Sequence, residues 1–230
     1  MSTWVVIPAA GIGTRMQADR PKQYCMLAGK TLLQHAVNVF SARDDIAKVV
    51  VVLHAEDHWW PTLSFLHPEK ITTVIGGKER VHSVLLGLTA LVDDAAPDDF
   101  VLVHDAARPC LLSDAITRLL STVKDHPVGG LLGLPVVDTL KQVDATDAVT
   151  HTVPRTGLWR AQTPQCFRYG LLKPAIETAL LQHQQITDES SAMEYAGFQP
   201  KMVMGEVANI KITFPEDMIL AERMLLNKNQ

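Results

Sequence analysis

The sequence predicts an α/β protein built on a mostly parallel sheet with helices on both faces. Short apolar runs alternate with stretches of helical periodicity about every 25 residues up to residue 134, which is typical of strand–helix–strand units. The best defined run, Lys48–Leu53, reads KVVVVL, the uninterrupted apolar pattern of a strand buried on both faces. One polar segment, residues 135–158, breaks the alternation and predicts a protruding β-arm.

The elements before the arm follow from periodicity and capping residues. Strands are predicted over residues 5–7, Lys48–Leu53, Ile71–Ile75, 100–104 and 128–134. Helices are predicted over residues 31–42, 56–66, 79–92 and Ser113–Val123, the second from a weak pattern. Thr31 and Ser113 are placed to cap the first and last of these helices. Ligands of such sheets bind beyond the C-terminal ends of strands, so polar residues after Ile7, Ile75 and His104 indicate the expected site.

The arm is predicted as two β-prone stretches joined by a turn at residues 144–147. A lone hairpin is only marginally stable in water, so we expect the arm to pack against a second copy of the chain. The alternative is that the arm protrudes from the surface of a monomer. Beyond the arm we expect helices over residues 169–184, 188–195 and Pro215–Leu226, and extended segments over Lys201–Met204 and 209–213, the latter carrying Lys211.

Composition excludes several classes of protein. The 230 residues are 47% hydrophobic and 20% charged, and no linker divides them, so we expect residues 1–230 to form a single domain with residues 135–158 as its dimerisation arm. A net charge of −4 argues against a nucleic-acid binder. No apolar run approaches a membrane span. The start of the chain lacks signal-peptide features and the three cysteines form no paired motif, so we expect a cytoplasmic protein with reduced thiols.

The residues after the first strand are typical of a phosphate site. A run of small residues and glycines, Ala9-Ala10-Gly11-Ile12-Gly13, precedes Arg15, and Lys22 follows on the same loop. Bare backbone N–H groups beside two cations suit a polyphosphate, although a turn with solvated charges is an equal alternative. Met16 replaces the third glycine of a dinucleotide fingerprint, and Tyr24 occupies the position of the first glycine of a P-loop ending in Gly29-Lys30-Thr31.

Two later clusters also carry candidate binding residues. Gly76-Gly77, followed by Ser83 at a helix start, would let backbone and hydroxyl groups approach a base edge; a capped helix is the alternative. Asp105 ends a buried strand, where a carboxylate is costly unless paired or used. It suits Mg²⁺ or a sugar hydroxyl, and Arg108 suits a phosphate, whereas a structural ion pair between the two is the competing interpretation.

Nine short motifs occur in order: P-A-A-G-x-G-x-R-M, P-K-Q-Y, G-G-x-x-R-x-x-S, V-H-D-A-A-R-P, D-T-x-K, R-x-G-L-W, T-P-Q, T-D-E and N-I-K-x-T. Together they resemble the 2-C-methyl-D-erythritol 4-phosphate cytidylyltransferase family. The resemblance implies a Rossmann-like nucleotidyltransferase fold and a homodimer with exchanged β-arms. It also implies cytidylyl transfer from CTP to the polyol phosphate in the non-mevalonate isoprenoid pathway.

The same resemblance implies the roles of individual residues. The CTP site would comprise Ala9, Ala10, Gly11, Gly77 and Ser83. The catalytic cations would be Arg15, Lys22, Arg155 and Lys211. The polyol phosphate would be held by Asp105, Ala106, Arg108, Thr139, Thr163 and Lys211, with Thr139 and Arg155 supplied by the partner's arm. Mg²⁺ would bridge the triphosphate oxygens, with Asp105 as a candidate direct ligand.

Two other functions stay open at this point. A cytidylyltransferase for another polyol phosphate, such as ribitol 5-phosphate, would need only a few changed contacts. A catalytically silent nucleotide-binding protein is the second, and the presence of both Arg15 and Lys22 argues against it.

Overall fold

A computed structural model describes residues 1–11, 13, 16 and 19–226. Its central sheet has seven strands: β1 (Thr3–Pro8), β4 (Lys48–Leu53), β5 (Ile71–Ile75), β6 (Phe100–Val103), β7 (Gly129–Pro135), β10 (Trp159–Arg168) and β11 (Lys201–Met204). They lie in the order β11-β7-β10-β6-β1-β4-β5. Strands β1, β4, β5 and β6 pair in parallel, as do β7 and β11. The predicted mostly parallel sheet is confirmed.

Strand β10 was not predicted, and it runs antiparallel between β6 and β7. Its sequence, WRAQTPQCFR, mixes polar residues and a proline with few β-branched residues, so it lacks the usual strand signal. The register with β7 shifts between Ala161 and Gln165, around Pro164. This strand places Thr163 beside the C-terminal end of β6, where the candidate site lies.

Helices cover both faces of the sheet, as predicted. One face packs against α1 (Leu32–Ser41) and α3 (Ser113–Val123), and the other against α2 (Arg80–Thr89), α4 (Tyr169–Leu181) and α5 (Glu189–Tyr195). The β1 side chains Val5, Val6 and Ile7 are fully buried and alternate between the two core clusters. Each such side chain contributes about 2 kcal/mol of hydrophobic stabilisation. Helix α6 (Pro215–Leu226) packs near the short hairpin of β2 (Met26–Leu27) and β3 (Lys30–Thr31).

The two predicted helix caps have different outcomes. Thr31 caps α1 through a capping box with Gln34, as predicted. The prediction for Ser113 is wrong, because Leu112 is the N-cap residue and Ser113 is the first residue of α3. The Ser113 hydroxyl and carbonyl instead accept hydrogen bonds from the Arg43 guanidinium at 2.5 and 2.9 Å.

Two other predicted elements are wrong. Residues 56–66 form turns and one short 3₁₀ helix, Trp60–Thr62, rather than a longer helix, because Pro61 has no N–H for a helical bond. Residues 209–213 form no strand. A short extended segment carrying Lys211 was expected here, but no strand of the described chain pairs with these residues. No helix among the described residues is long and apolar enough to span a membrane.

The β-arm is a separate two-stranded antiparallel sheet of β8 (Leu140–Val143) and β9 (Val149–Val153). Asp144 closes its turn, since the Asp144 carboxylate accepts from the N–H groups of Thr146 and Ala148. The arm exposes Val137 and Val149. The predicted hairpin is confirmed, whereas its exchange between two chains stays a prediction.

Candidate active site

A cavity of about 260 Å³ opens where β1, β5 and β6 end, the position expected for ligands of a parallel sheet. Its three walls are built from the loops after β1, β5 and β6, and the segment between β11 and α6 adds Lys211 to the third wall. The lining residues that sequence reasoning selected are Ala9, Ala10, Gly11, Lys22, Gly77, Ser83, Asp105, Ala106 and Lys211. Gly13, Gln23, Lys78, Glu79, Arg80 and Ala107 also line it.

The loop after β1 forms the first wall and is fixed at its start. The Ala9 N–H donates to the Val52 carbonyl at 2.8 Å, and the Ala9 carbonyl accepts from Gln23 Nε2 at 2.7 Å. Both backbone polar groups of Ala9 are therefore occupied, which holds the small residues Ala10 and Gly11 against the cavity. A loop built this way brings main chain, rather than bulky side chains, to the cavity surface.

The two cations predicted on this loop have different outcomes. Arg15 lies outside the described residues. Lys22 lines the cavity, and its Nζ donates to the Ile212 carbonyl at 2.7 Å. Gly13 makes this approach possible, because it has a φ of +70° and a Cβ there would lie 2.6 Å from the Lys22 Cβ.

The second wall is the turn between β5 and α2. A Cβ on Gly76 would lie 2.6 Å from the Ala10 Cβ and 2.8 Å from the Ser83 hydroxyl oxygen, so only glycine lets these groups meet. The Gly77 N–H donates to the same hydroxyl oxygen at 3.2 Å. Ser83 is buried, and its hydroxyl hydrogen can still be donated to a ligand.

The third wall is organised by Asp105, which is buried beside three cations. Arg80 Nε lies 3.0 Å from Asp105 Oδ1, while Lys211 Nζ and Arg108 Nε lie 2.9 and 3.6 Å from Oδ2. Burial alone would raise the pKa of Asp105, but attraction to Arg80, Lys211 and Arg108 outweighs it and holds the pKa well below its usual range. Asp105 is therefore a permanent carboxylate. The alternative ion pair between Asp105 and Arg108 is present, and it is part of this larger cluster.

Sequence reasoning gave no role to Arg80 or Glu189, although both fall inside the recognised motifs. Glu189 is 2% exposed, and its two carboxylate oxygens accept from Arg80 Nη1 and Nη2 at 2.6 and 3.1 Å. A two-point contact of this kind fixes the plane of the guanidinium. Burial alone would lower the pKa of Arg80, but attraction to Glu189 and Asp105 outweighs that effect and raises the pKa. Arg80 therefore keeps its positive charge.

Thr163 and His104 support the third wall from behind. The Thr163 hydroxyl oxygen accepts from the Asp105 N–H at 3.0 Å and lies 3.0 Å from His104 Nδ1. His104 Nε2 lies 3.1 Å from the Arg108 carbonyl, which can only accept, so Nε2 carries the hydrogen and Nδ1 accepts from Thr163. Thr163 and Arg108 are not among the described residues that line the cavity. They hold the Asp105 loop in place.

The arm residues are not brought to the cavity of their own chain. Thr139 is exposed, and the Arg155 guanidinium donates to the Val137 carbonyl at the base of the arm. Neither residue is among those lining the cavity.

Asp105 is the metal ligand that the resemblance implies. No group of three or more histidine, cysteine or acidic side chains among the described residues is arranged to hold an ion. Both Asp105 oxygens already face cations, whereas Mg²⁺ requires free oxygen ligands. A divalent ion here would depend on ligand oxygens for most of its coordination.

Comparisons with known proteins agree with this geometry. A family model described as 2-C-methyl-D-erythritol 4-phosphate cytidylyltransferase, IspD, matches residues 3–227. Curated relatives of that name include one from Pseudomonas fluorescens, 49% identical over 94% of this chain and 92% of the relative. Another, from Vibrio parahaemolyticus, is 50% identical with the same coverage.

Solved structures agree in fold over almost the whole chain. The Francisella tularensis 2-C-methyl-D-erythritol 4-phosphate cytidylyltransferase superposes with a TM-score of 0.83 at 36% identity, covering 97% of this chain and all of the other. The Thermus thermophilus enzyme of the same name gives 0.81 at 31% identity, covering 97% and 98%. With its sequence, fold and cavity in agreement, this chain belongs to the 2-C-methyl-D-erythritol 4-phosphate cytidylyltransferase family.

Proposed function

We propose that this chain transfers the cytidylyl group of CTP to 2-C-methyl-D-erythritol 4-phosphate, giving 4-diphosphocytidyl-2-C-methyl-D-erythritol and pyrophosphate. A phosphate oxygen of the polyol phosphate forms a bond to the α-phosphorus of CTP, and the bond from that phosphorus to the β-phosphate oxygen breaks. The observation that carries this proposal is a cavity that joins a wall of small residues to a cluster of cations around Asp105.

CTP occupies the half of the cavity formed by the first two walls. Ala9, Ala10 and Gly11 offer a surface without bulky side chains, on which the nucleotide lies close to the backbone. Gly77 and Ser83 recognise the edge of the base with a main chain group and a hydroxyl. The close packing of Gly76 against Ser83 supports this assignment, because it fixes the hydroxyl that reads the base.

Lys22 and Arg15 stabilise the negative charge that builds on the α-phosphate and the departing pyrophosphate. Positioning and positive charge are what phosphoryl-type transfer requires from a protein. The Lys22 ammonium is held at the cavity by the Ile212 carbonyl, which supports the role of Lys22. The role of Arg15 rests on the sequence motif.

The polyol phosphate occupies the other half, beside Asp105 and Ala106. Lys211, which lines the cavity, exchanges part of its attraction to Asp105 for the substrate phosphate, and the freed carboxylate oxygen accepts a polyol hydroxyl. Arg108 lies behind this lining and supports the Asp105 carboxylate on the side of the polyol phosphate. Thr163 holds the Asp105 main chain during this exchange. A substrate phosphate is already ionised at neutral pH, so the reaction needs no strong general base.

Mg²⁺ is proposed as the metal, held mainly by triphosphate oxygens. The described side chains supply no complete set of ligands, and Asp105 would have to release a cation to bind the ion directly. We therefore assign no catalytic step to a protein-held metal.

A homodimer with exchanged arms is part of the proposal, with Thr139 and Arg155 reaching the partner's cavity. The exposed apolar side chains of the arm and the absence of both residues from the described lining of their own cavity support it. Lys22→Ala and Arg155→Ala homodimers should each be nearly inactive. Mixing the two variants should restore part of the activity, because one site of each heterodimer then keeps both residues; no recovery in verified heterodimers would refute exchange.

We also propose that the protein is located in the cytoplasm. The three cysteines, all within the described residues, form no disulfide, as expected of a protein in a reducing compartment.

The test of the proposed function is pyrophosphate release from CTP with each of two acceptors. Release with 2-C-methyl-D-erythritol 4-phosphate, at a kcat/KM well above that for ribitol 5-phosphate, is expected. Preference for ribitol 5-phosphate would overturn the assigned acceptor, and the lack of release with either would overturn the enzymatic function. Lys22→Ala serves as the control for contaminating transferases, since it should abolish most of the signal.

A further inference from the structure

The segment between β11 and α6 carries Lys211 but has no regular secondary structure. Its buried backbone groups still need hydrogen-bond partners, and several are side chains. Gln162 Nε2 donates to the Glu206 and Asn209 carbonyls at 2.9 and 3.3 Å. The Ile212 N–H donates to the Ala107 carbonyl at 2.8 Å. The path of this segment therefore depends on a small number of specific bonds.

Asn209 lies at the centre of these bonds and is fully buried. Its Nδ2 donates to the Thr163 carbonyl at 2.7 Å. Its own carbonyl accepts from Arg108 Nη1 at 2.7 Å. Two residues later, Lys211 pairs with Asp105. Asn209 thus connects three separate residues that the proposed function assigns to the polyol phosphate.

We propose that Asn209 is a positioning residue for the polyol-phosphate half of the site, acting through Thr163, Arg108 and Lys211 rather than by touching substrate. This inference rests on the proposed function and extends it to a residue with no assigned role. Small displacements of binding groups strongly weaken the binding of a ligand. Loss of the hydrogen bond from Asn209 Nδ2 should therefore displace all three residues together.

The chemistry of the Asn209 amide argues against a role in stability alone. Within the described part of the chain, Asn209 Oδ1 is buried and has no hydrogen-bond partner. A buried acceptor without a partner destabilises the folded state. The Asn209 amide is therefore not optimised for stability, which is consistent with a side chain that serves the geometry of the site.

Asn209→Ala and the isosteric Asn209→Asp test the inference. Both remove the donor to the Thr163 carbonyl. The KM for the polyol phosphate should rise about tenfold, as expected for one lost hydrogen bond. Affinity for CTP, measured directly by calorimetry without the second substrate, should change less than about twofold. Among the described residues, the hydrogen bonds of Asn209 join Arg108, Gln162 and Thr163 rather than the proposed nucleotide-binding residues.

The matched control is Asn38→Ala. Asn38 is also a buried asparagine whose side chain holds a loop, since its Oδ1 accepts from the Leu66 N–H at 2.9 Å. It lies on α1 and does not line the cavity. Its replacement should lower thermal stability while leaving both KM values unchanged, so a loss of stability alone does not reproduce the expected result.

The outcomes separate the inference from the proposed function. A wild-type chain that releases no pyrophosphate refutes both. An active wild type with an unchanged polyol-phosphate KM in both Asn209 variants refutes only the positioning role, as does an equal weakening of CTP and polyol phosphate. Failure of both Asn209 variants to fold, beside a folded Asn38→Ala, would show a purely structural role and also overturn the inference.

Discussion

Acidification should destabilise this protein through one buried histidine, His104. Its imidazole is 0% exposed and fixed as a neutral ring between the Arg108 carbonyl and the Thr163 hydroxyl. The pKa of His104 is lowered from 6.5 to about 4, chiefly by burial and also by the charge of Arg108. The hydrogen bonds of the imidazole and the charge of Asp105 offset part of this decrease. The unfolded chain therefore binds this proton more readily than the folded chain.

The sign of the effect follows from that difference. Because the folded pKa lies below the unfolded one, the stabilisation is complete above about pH 6.5 and is lost as the pH falls towards 4. The contribution of His104 should decrease by about 2 kcal/mol between pH 7 and pH 5 and by about 3 kcal/mol at pH 4. This is a large fraction of the stability of a typical domain.

The assay is urea unfolding at several pH values, followed by the fluorescence of the four tryptophans. Other groups also titrate, so wild type is compared with His104→Gln, which lacks the titrating ring. The variant should be less stable than wild type at pH 7. Between pH 7 and pH 5, its free energy of unfolding should decrease by about 2 kcal/mol less than that of wild type. Ile116→Val, a buried change elsewhere that costs about 1 kcal/mol, should keep the wild-type pH dependence. Parallel pH profiles for wild type and His104→Gln would refute the neutral buried imidazole.

Three further substitutions test the walls of the cavity. Glu189→Gln leaves the Arg80 cation with a weaker partner and should lower the free energy of unfolding by about 2 kcal/mol; unchanged urea unfolding would exclude the pair. Gly76→Ala places a Cβ 2.8 Å from the Ser83 hydroxyl oxygen. Because this contact displaces the hydroxyl, the KM for CTP should rise about tenfold, and an unaltered KM would contradict the assigned base site. Lys211→Ala should raise the KM for the polyol phosphate at least about tenfold, and a larger effect on CTP would reverse the two halves of the site.

The parallel half of the sheet was predictable because burial on both faces imposes a local pattern. The inner strands there are apolar along almost their whole length, as Lys48–Leu53 is, whereas β5 at the edge of the sheet carries the exposed Thr72 and Thr73. Strand β10 was not predictable by the same reasoning. Its polar residues are accommodated by neighbours on either side, β6 and β7, and by bonds such as that from Gln162 to Glu206, none of which a local pattern contains.

The candidate site divides in the same way. Local signals, such as small residues after a strand or a carboxylate at a buried strand end, correctly placed Ala9, Gly77 and Asp105 on one cavity. The partner of a buried charge is not a local property. Arg80 and Glu189 are 109 positions apart. They meet because α4 packs against both α2 and α5, and because the Ser190 N–H of α5 donates to Gln165 of β10.

The cluster around Asp105 explains how a chain of net charge −4 provides a site for two anions. Its cations are concentrated where three strands end, and the Asp105 carboxylate keeps Lys211 and Arg108 close together before a substrate arrives. Without that carboxylate, two neighbouring cations would repel each other and spread apart. In the proposed function, the substrate phosphate replaces Asp105 as a partner of Lys211, so its affinity should depend on how well it competes with Asp105 more than on the overall charge of the protein. On this proposal we expect the geometry of the cluster, which Glu189 fixes from one side through Arg80, to set the selectivity for the acceptor.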